Sequence, residues 1–218
     1  MPMTRYLAAL ILACAPLPIK ACETALILTI DVSNSIDTAE YRLQTDGLAA
    51  ALRDPEIVDT MVSTQTTLAV VQWSGVDKQE VSIPWTRITS AIDAESIAQQ
   101  AETMIRAFVL SDTAPAEAIY FSLNLFDQVT DCHRRVIDIS GDGTPNSGGD
   151  VREARAQAER AGVTINAIAI ESLGLAITNF YRRGVITRNG FVITAQTHRE
   201  YPMAIRNKIL REISRIFG

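Results

Sequence analysis

The stretch Ala25-Leu-Ile-Leu-Thr-Ile-Asp31-Val-Ser33-Asn-Ser35 decides the fold, because an apolar run ends in a carboxylate and two hydroxyls at alternate positions. A run rich in Ile and Leu, without polar alternation, suits a strand covered on both faces, as the first strand of a parallel α/β sheet is. The polar residues then fall just past its carboxyl end. In open α/β sheets ligands bind at that edge, in the crevice where strand order reverses. Asp and Ser are hard oxygen donors and suit Mg2+ or Mn2+ better than zinc or copper.

Downstream, Asp37 with Glu40 three residues later opens a helix that runs to Leu52 and stops at Asp54-Pro55. Thr67–Trp73 reads as a second buried strand. Only Ser74–Lys78 separates it from the alternating segment Glu80–Ile83, too short a link for a helical crossover, so the third strand is antiparallel. Pro84 places that strand at the sheet edge. Ile97, Ala101, Met104 and Phe108 keep helical spacing, as do Ala114, Ala118, Phe121 and Leu125. Pro115 and Glu117 suit a helix start, which sets Thr113 at a helix N-terminus.

Arg135–Ser140 is a fourth strand opening into Gly141-Asp142-Gly143. A helix from Val151 closed by Gly162 leads to a fifth strand, Val163–Ile170. The tail reads as a short helix over 173–185, a strand at Phe191–Thr194 and a closing helix over 200–217. Tyr201, Ile205, Ile209, Ile213 and Ile216 share one face of that last helix. Its Arg206, Lys208, Arg211 and Arg215 read as a solvated face rather than a basic patch.

The 218 residues, 47% hydrophobic and 21% charged, fit one globular domain. Residues 1–21 resemble a secretory signal, with Arg5 at the basic end, an apolar middle from Tyr6 towards Leu17, and Ala21 as the cleavage point. That apolar run falls short of the ~20 residues a spanning helix needs. The expectation is therefore an exported protein, periplasmic or secreted, with one domain over 22–218 and no transmembrane segment. A lipid anchor would need cleavage before Cys14 or Cys22, and neither preceding triplet is a convincing lipobox. Losing Arg5 and Lys20 takes the net charge from −5 to −7, which argues against nucleic acid as a partner.

Export also leaves Cys22 and Cys132 where disulfides persist. Cys22 lies nine residues before Asp31 and Cys132 ten before Asp142, so on neighbouring parallel strands their starts are level and a bond is expected. Two buried free thiols are the alternative. His133 and His198 are the only histidines, and surface or satisfied positions are expected for both.

Asp31-x-Ser33-x-Ser35, followed by Thr113 and by Asp142-Gly143, resembles the metal-ion-dependent adhesion site of von Willebrand factor A-type domains, with all five ligand positions filled. The resemblance covers essentially residues 25–217. It implies a doubly wound, mostly parallel six-stranded sheet in the order 3-2-1-4-5-6, the third strand antiparallel at the edge, with helices on both faces. Glu40-Tyr-Arg-Leu-Gln44, Asp46–Pro55, Arg134–Gly143 and Phe180-Tyr-Arg-Arg183 are similar to an exported bacterial subfamily of these domains to which no activity is attached. One departure is Asp112, where the family usually has a small residue before the threonine.

The resemblance implies that Ser33, Ser35 and Thr113 ligate as neutral hydroxyls and that Asp31 and Asp142 bind directly or through water. So few charged ligands leave the ion electron-poor, open to an Asp or Glu side chain of a protein partner. Binding that moves the last helix is a further implication from switchable members.

Simpler roles stand beside each residue: Ser33 and Ser35 as caps of the first helix, Thr113 as a cap of the third, Asp142-Gly143 as a turn. Two other functions compete with a non-enzymatic binding domain. A phosphoryl-transfer enzyme using Asp31 would need a carboxylate where Ser33 stands, and no Gly-x-Ser-x-Gly elbow, Walker loop or His-Glu-x-x-His is present. The other is a structural module with an empty site.

Overall fold

The computed structural model describes residues 21–172 and 174–214. The expectations for the leader over 1–20, with Cys14, and for Leu173, Arg215, Ile216 and Phe217 lie outside the described residues. Strands β1 (Cys22–Asp31), β2 (Thr67–Trp73), β3 (Gln79–Arg87), β4 (Cys132–Gly141), β5 (Val163–Ile170) and β6 (Val192–Ala195) form one sheet in the order β3-β2-β1-β4-β5-β6. The β2–β3 pairing is antiparallel and the other four are parallel.

Helices α1 (Thr38–Leu52), α2 (Pro55–Thr64), α3 (Ala91–Glu102) and α7 (Tyr201–Ile213) cover one face. The other carries α4 (Pro115–Leu125), α5 (Val151–Arg160) and α6 (Ala176–Phe180). Both faces are covered, and this explains the apolar run of β1: Leu26, Leu28 and Ile30 enter one core while Ala25 and Ile27 enter the other. Among the described residues no helix is long and apolar enough to cross a membrane.

The first helix starts as its sequence predicts. Asp37 accepts from Glu40 N at 2.8 Å and Glu40 Oε2 accepts from Asp37 N at 2.8 Å, a reciprocal capping box. Asp54-Pro55 does more than end it. Asp54 caps a second helix by accepting from Glu56 N and Ile57 N, and Pro55 occupies its first position, where a missing N–H costs nothing.

The expected helical spacing through Met104 and Phe108 is not realised. Helix α3 stops at Glu102 and the chain crosses to Pro115 without regular structure. Side chains recruit that crossing elsewhere: Tyr41 Oη donates to Met104 O, and Gln72 brackets Ile105 O and Ala107 N. The expected helix over 173–185 is α6 followed by a π-helical turn, Tyr181–Val185.

The solvated basic face of the last helix needs correction. Arg206 does sit outside, paired with Asp54 at 2.7 Å, but Lys208 is fully buried between Asp138 and Glu212. Arg211 is solvent-exposed as expected, its guanidinium over the Phe191 ring, 3.9 Å from its centre. Helical periodicity does not reveal that β4 and β5 present Asp138 and Asn166 to this face.

Cys22 and Cys132 are register partners on β1 and β4 and are joined by a disulfide. The bond spans 110 residues of sequence. Its removal through paired Cys22→Ala and Cys132→Ala is expected to lower unfolding free energy by roughly 4 to 5 kcal/mol in the chain-entropy account. Urea denaturation of the oxidised protein against the double variant measures this, and equal midpoints would refute it.

Candidate metal site

Parallel pairing brings the two aspartates together. Ile30 is level with Ser140, so β1 and β4 end side by side and Asp31 and Asp142 leave the same sheet edge. Past the strand, Ser33 N donates to Asp31 Oδ1 at 2.8 Å, which folds the loop back over its own carboxylate. The Ser33 and Ser35 hydroxyls are hydrogen-bonded at 3.0 Å, and Ser35 Oγ donates to Asp142 Oδ1 at 2.6 Å.

Thr113 arrives on a third loop stitched to the first two. Asn34 N donates to Ser111 O and Ala114 N to Ser74 O, each at 2.9 Å. Thr113 N donates to Asn146 Oδ1 at 2.8 Å, and Thr113 O accepts from Asn146 N at 3.1 Å. A Cβ on Gly143 would stand 3.9 Å from Thr113 Oγ1, so the glycine after Asp142 borders the threonine.

The capping roles fall away. Asp37 caps α1, and α4 begins from Ala114 with no side-chain cap. Asp142 commits one oxygen to Ser35 across the crevice rather than to a local turn. Asp112 joins through its backbone, accepting from Ser74 Oγ at 2.9 Å.

Two further residues belong to this constellation. Arg106 Nη2 donates to Val32 O at 2.9 Å and Ser33 O at 2.8 Å, clamping the serine loop from below. In sequence it lay hidden inside a segment with helical spacing. His198 is not a surface or fully satisfied residue. It sits on the link between β6 and α7 with Nδ1 3.0 Å from Glu40 Oε1 and Nε2 3.8 Å from Asp142 Oδ2. A lone histidine so remote in sequence carries no local signal.

The electrostatics leave a charge to be filled. Asp31 is fully buried, and burial above all pushes its carboxyl up to about 7; the Asp142 charge adds to this, while hydrogen bonds from Ser33 and the Arg106 charge pull the other way. Asp142 is raised too, by burial first, with Ser35 and His198 opposing. Asp31 Oδ2, Tyr181 Oη and Trp73 Nε1 are buried with no hydrogen-bond partner among the described residues. Gly141 makes room for them: a Cβ there would overlap Tyr181 Oη and stand 2.9 Å from Asp31 Oδ2.

A cation fits this donor set. It would give Asp31 Oδ2 its partner and neutralise two carboxylates that are expensive to ionise when buried. Ser33, Ser35, Thr113, Asp31 and Asp142 are the residues that would hold it, all through oxygen. Among the described residues no three of His, Cys, Asp and Glu are grouped so as to hold an ion by themselves.

The fold is that of von Willebrand factor A domains. Proximal thread matrix protein 1 of the mussel byssus, in a structure described with a zinc-occupied MIDAS motif (the metal-ion-dependent adhesion site), superposes with a TM-score of 0.67 at 19% identity, covering 89% of this chain and 48% of that one. The chain thus spans about half the length of the mussel protein. The vWF domain of the type V pili tip protein Mfa5 from Porphyromonas gingivalis gives 0.65 at 11% identity over 91% and 97%. BatB from Bacteroides thetaiotaomicron, a conserved hypothetical protein, gives 0.57 at 17% over 88% and 98%. No curated protein sequence matches the chain. A family profile matches residues 21–217, which takes in every described residue, and the protein belongs to that family, described as protein of unknown function (DUF1194).

Proposed function

We propose that this protein is an exported, non-enzymatic binding domain that holds a divalent cation with Asp31, Ser33, Ser35, Thr113 and Asp142 and uses it to capture an acidic side chain of a protein partner. The observation that carries the proposal is the buried Asp31 oxygen without a partner among the described residues, on the carboxylate that the loop of the hydrogen-bonded Ser33 and Ser35 hydroxyls folds over. A cation with few anionic ligands attracts a further anionic oxygen. Hard oxygen donors favour Mg2+ or Mn2+. The mussel relative with zinc in the corresponding motif supports a divalent ion in this fold without deciding which one.

The surroundings suit a protein partner. Val76, Val109 and Leu110 are 46%, 64% and 84% exposed on the two loops that Gly75 N and Ser111 Oγ join beside the site. Leu110 holds φ at 50°, a left-handed conformation a leucine adopts only under constraint. Export rests on the leader-like residues 1–21 and on the disulfide.

Mg2+ or Mn2+ at 100 times its dissociation constant is expected to stabilise the protein by about 2.7 kcal/mol. Thermal melting in a cation series, reversed with EDTA, measures it. An unmoved melting temperature refutes the metal site, and metal-dependent turnover of a generic phosphate ester would overturn the non-enzymatic reading.

A further inference from the structure

The proposed set of five ligands leaves one buried donor atom unused beside it. His198 Nε2 is buried and has no hydrogen-bond partner among the described residues. It faces Asp142 Oδ2 across 3.8 Å, beyond hydrogen-bond reach. Asp142's other oxygen is already held by Ser35. Two donors that share one ion, each about 2.0 to 2.2 Å from it, stand roughly 3 to 4 Å apart. The gap between imidazole and carboxylate is wide enough for both to bind one ion, although at 3.8 Å the two groups also stand within reach of an ion pair.

The far side of the ring is prepared for that role. Nδ1 lies 3.0 Å from Glu40 Oε1, and a carboxylate there holds the ring proton on Nδ1 and leaves the Nε2 lone pair pointing at Asp142. Glu40 is itself fixed, because its other oxygen accepts from Asp37 N in the capping box of the helix that follows Ser33 and Ser35. Ser33, Ser35, Asp142, His198 and Glu40 therefore form one continuous chain of contacts. A cleft of about 490 Å3, lined by Glu40, Glu171, Thr197 and His198 among others, lies on the Glu40 side of this chain.

We infer that His198 Nε2 is an additional ligand of the ion, which makes the site prefer cations that accept imidazole nitrogen, Zn2+ and Co2+, over Mg2+. The inference rests on the proposed metal site and alters its selectivity. Glu40 is a positioning residue for that ligand.

Competition calorimetry with Zn2+ and Mg2+ on the oxidised full chain tests it, using wild type, His198→Asn and Glu40→Gln. His198→Asn is expected to lower the Zn2+ to Mg2+ affinity ratio at least about tenfold while Mg2+ binding stays within a factor of a few, and Glu40→Gln to lower it by about tenfold, in the range typical of outer-shell partners. Glu40→Gln keeps the capping box complete, because a glutamine at its third position serves as well as a glutamate, so its effect is not one of unfolding.

The same samples give a direct readout by 15N NMR of the chain's two histidines. Zn2+ should move the Nε2 resonance of His198 and leave exposed His133 in place. An unchanged affinity ratio, or a His198 resonance indifferent to Zn2+ while Mg2+ still binds, overturns this inference alone. Binding of neither cation overturns the metal site as well.

Discussion

Asparagine in place of Asp31 is expected to stabilise the metal-free protein at neutral pH and to abolish its response to Mg2+ or Mn2+. The carboxyl is fully buried and titrates near 7 instead of 3.8, with burial as the main cause. A carboxyl whose folded pKa is raised favours the protonated native state. Its cost is therefore absent below the unfolded value, grows as pH rises between 3.8 and about 7, and is complete above that. Fully ionised, such a group destabilises by roughly 4 kcal/mol.

Asp31→Asn removes that cost and keeps the acceptor for Ser33 N, while the new amide can donate to Tyr181 Oη, which has no partner among the described residues. Melting curves without metal should show the variant above wild type at pH 7.5 and the two merging near pH 4. With saturating Mg2+ the order should reverse, because only the wild type has a carboxylate to offer. A variant that melts at the wild-type temperature in EDTA at pH 7.5 would refute the idea that this carboxylate is stored at a cost for an ion.

The second large effect lies away from the site. Lys208 is wholly buried with Asp138 and Glu212, and Asn166 Nδ2 donates to Glu212 Oε1 at 2.8 Å. Lys208→Met strands two carboxylates in the core. Breaking a buried pair in this way typically costs about 3 to 5 kcal/mol, far more than a solvent-exposed pair such as Arg42 with Asp46 contributes.

The loss should depend on pH. Burial raises Asp138 to about 7, with the Glu212 charge adding and Lys208 opposing. Its ionised form is costly above that pH, and the cost disappears as the pH falls towards the unfolded 3.8. Urea unfolding should thus show a larger deficit for Lys208→Met at pH 8 than at pH 5, and Asp138→Asn should restore part of it. Equal deficits at both pH values would show that packing, not charge, is what the lysine supplies. The same cluster fixes α7 against β4 and β5, since Arg134 Nη1 also donates to Glu212 O at 3.1 Å.

Much of this was legible in the chain. The buried strands β1 and β2 could be expected from their apolar runs, because strands covered on both faces cannot alternate, and the antiparallel β3 from a link of five residues too short for a crossover, whereas the strand order followed from the family resemblance. The capping box of α1 and the level starts of Cys22 and Cys132 were equally local, one set by a three-residue spacing and the other by strand length. Helix α2 escaped because Asp54-Pro55 reads as a stop as readily as a start. The irregular stretch after Glu102 escaped because apolar spacing fits burial of any kind, and Met104 is buried without being helical.

The sequence alone determined which residue types stand where: Asp31, Ser33, Ser35 and Asp142 at the ends of strands and Thr113 ahead of a helix are written in it, since backbone pattern and local spacing place them there. Only tertiary structure decided who their neighbours are. That Arg106 clamps the serine loop, that His198 faces Asp142 with Glu40 behind it, and that Lys208 lies in the core are consequences of packing between segments far apart in the chain. Periodicity describes one element's faces, whereas burial, and with it the charge balance around Asp31, depends on what a second element brings to that face.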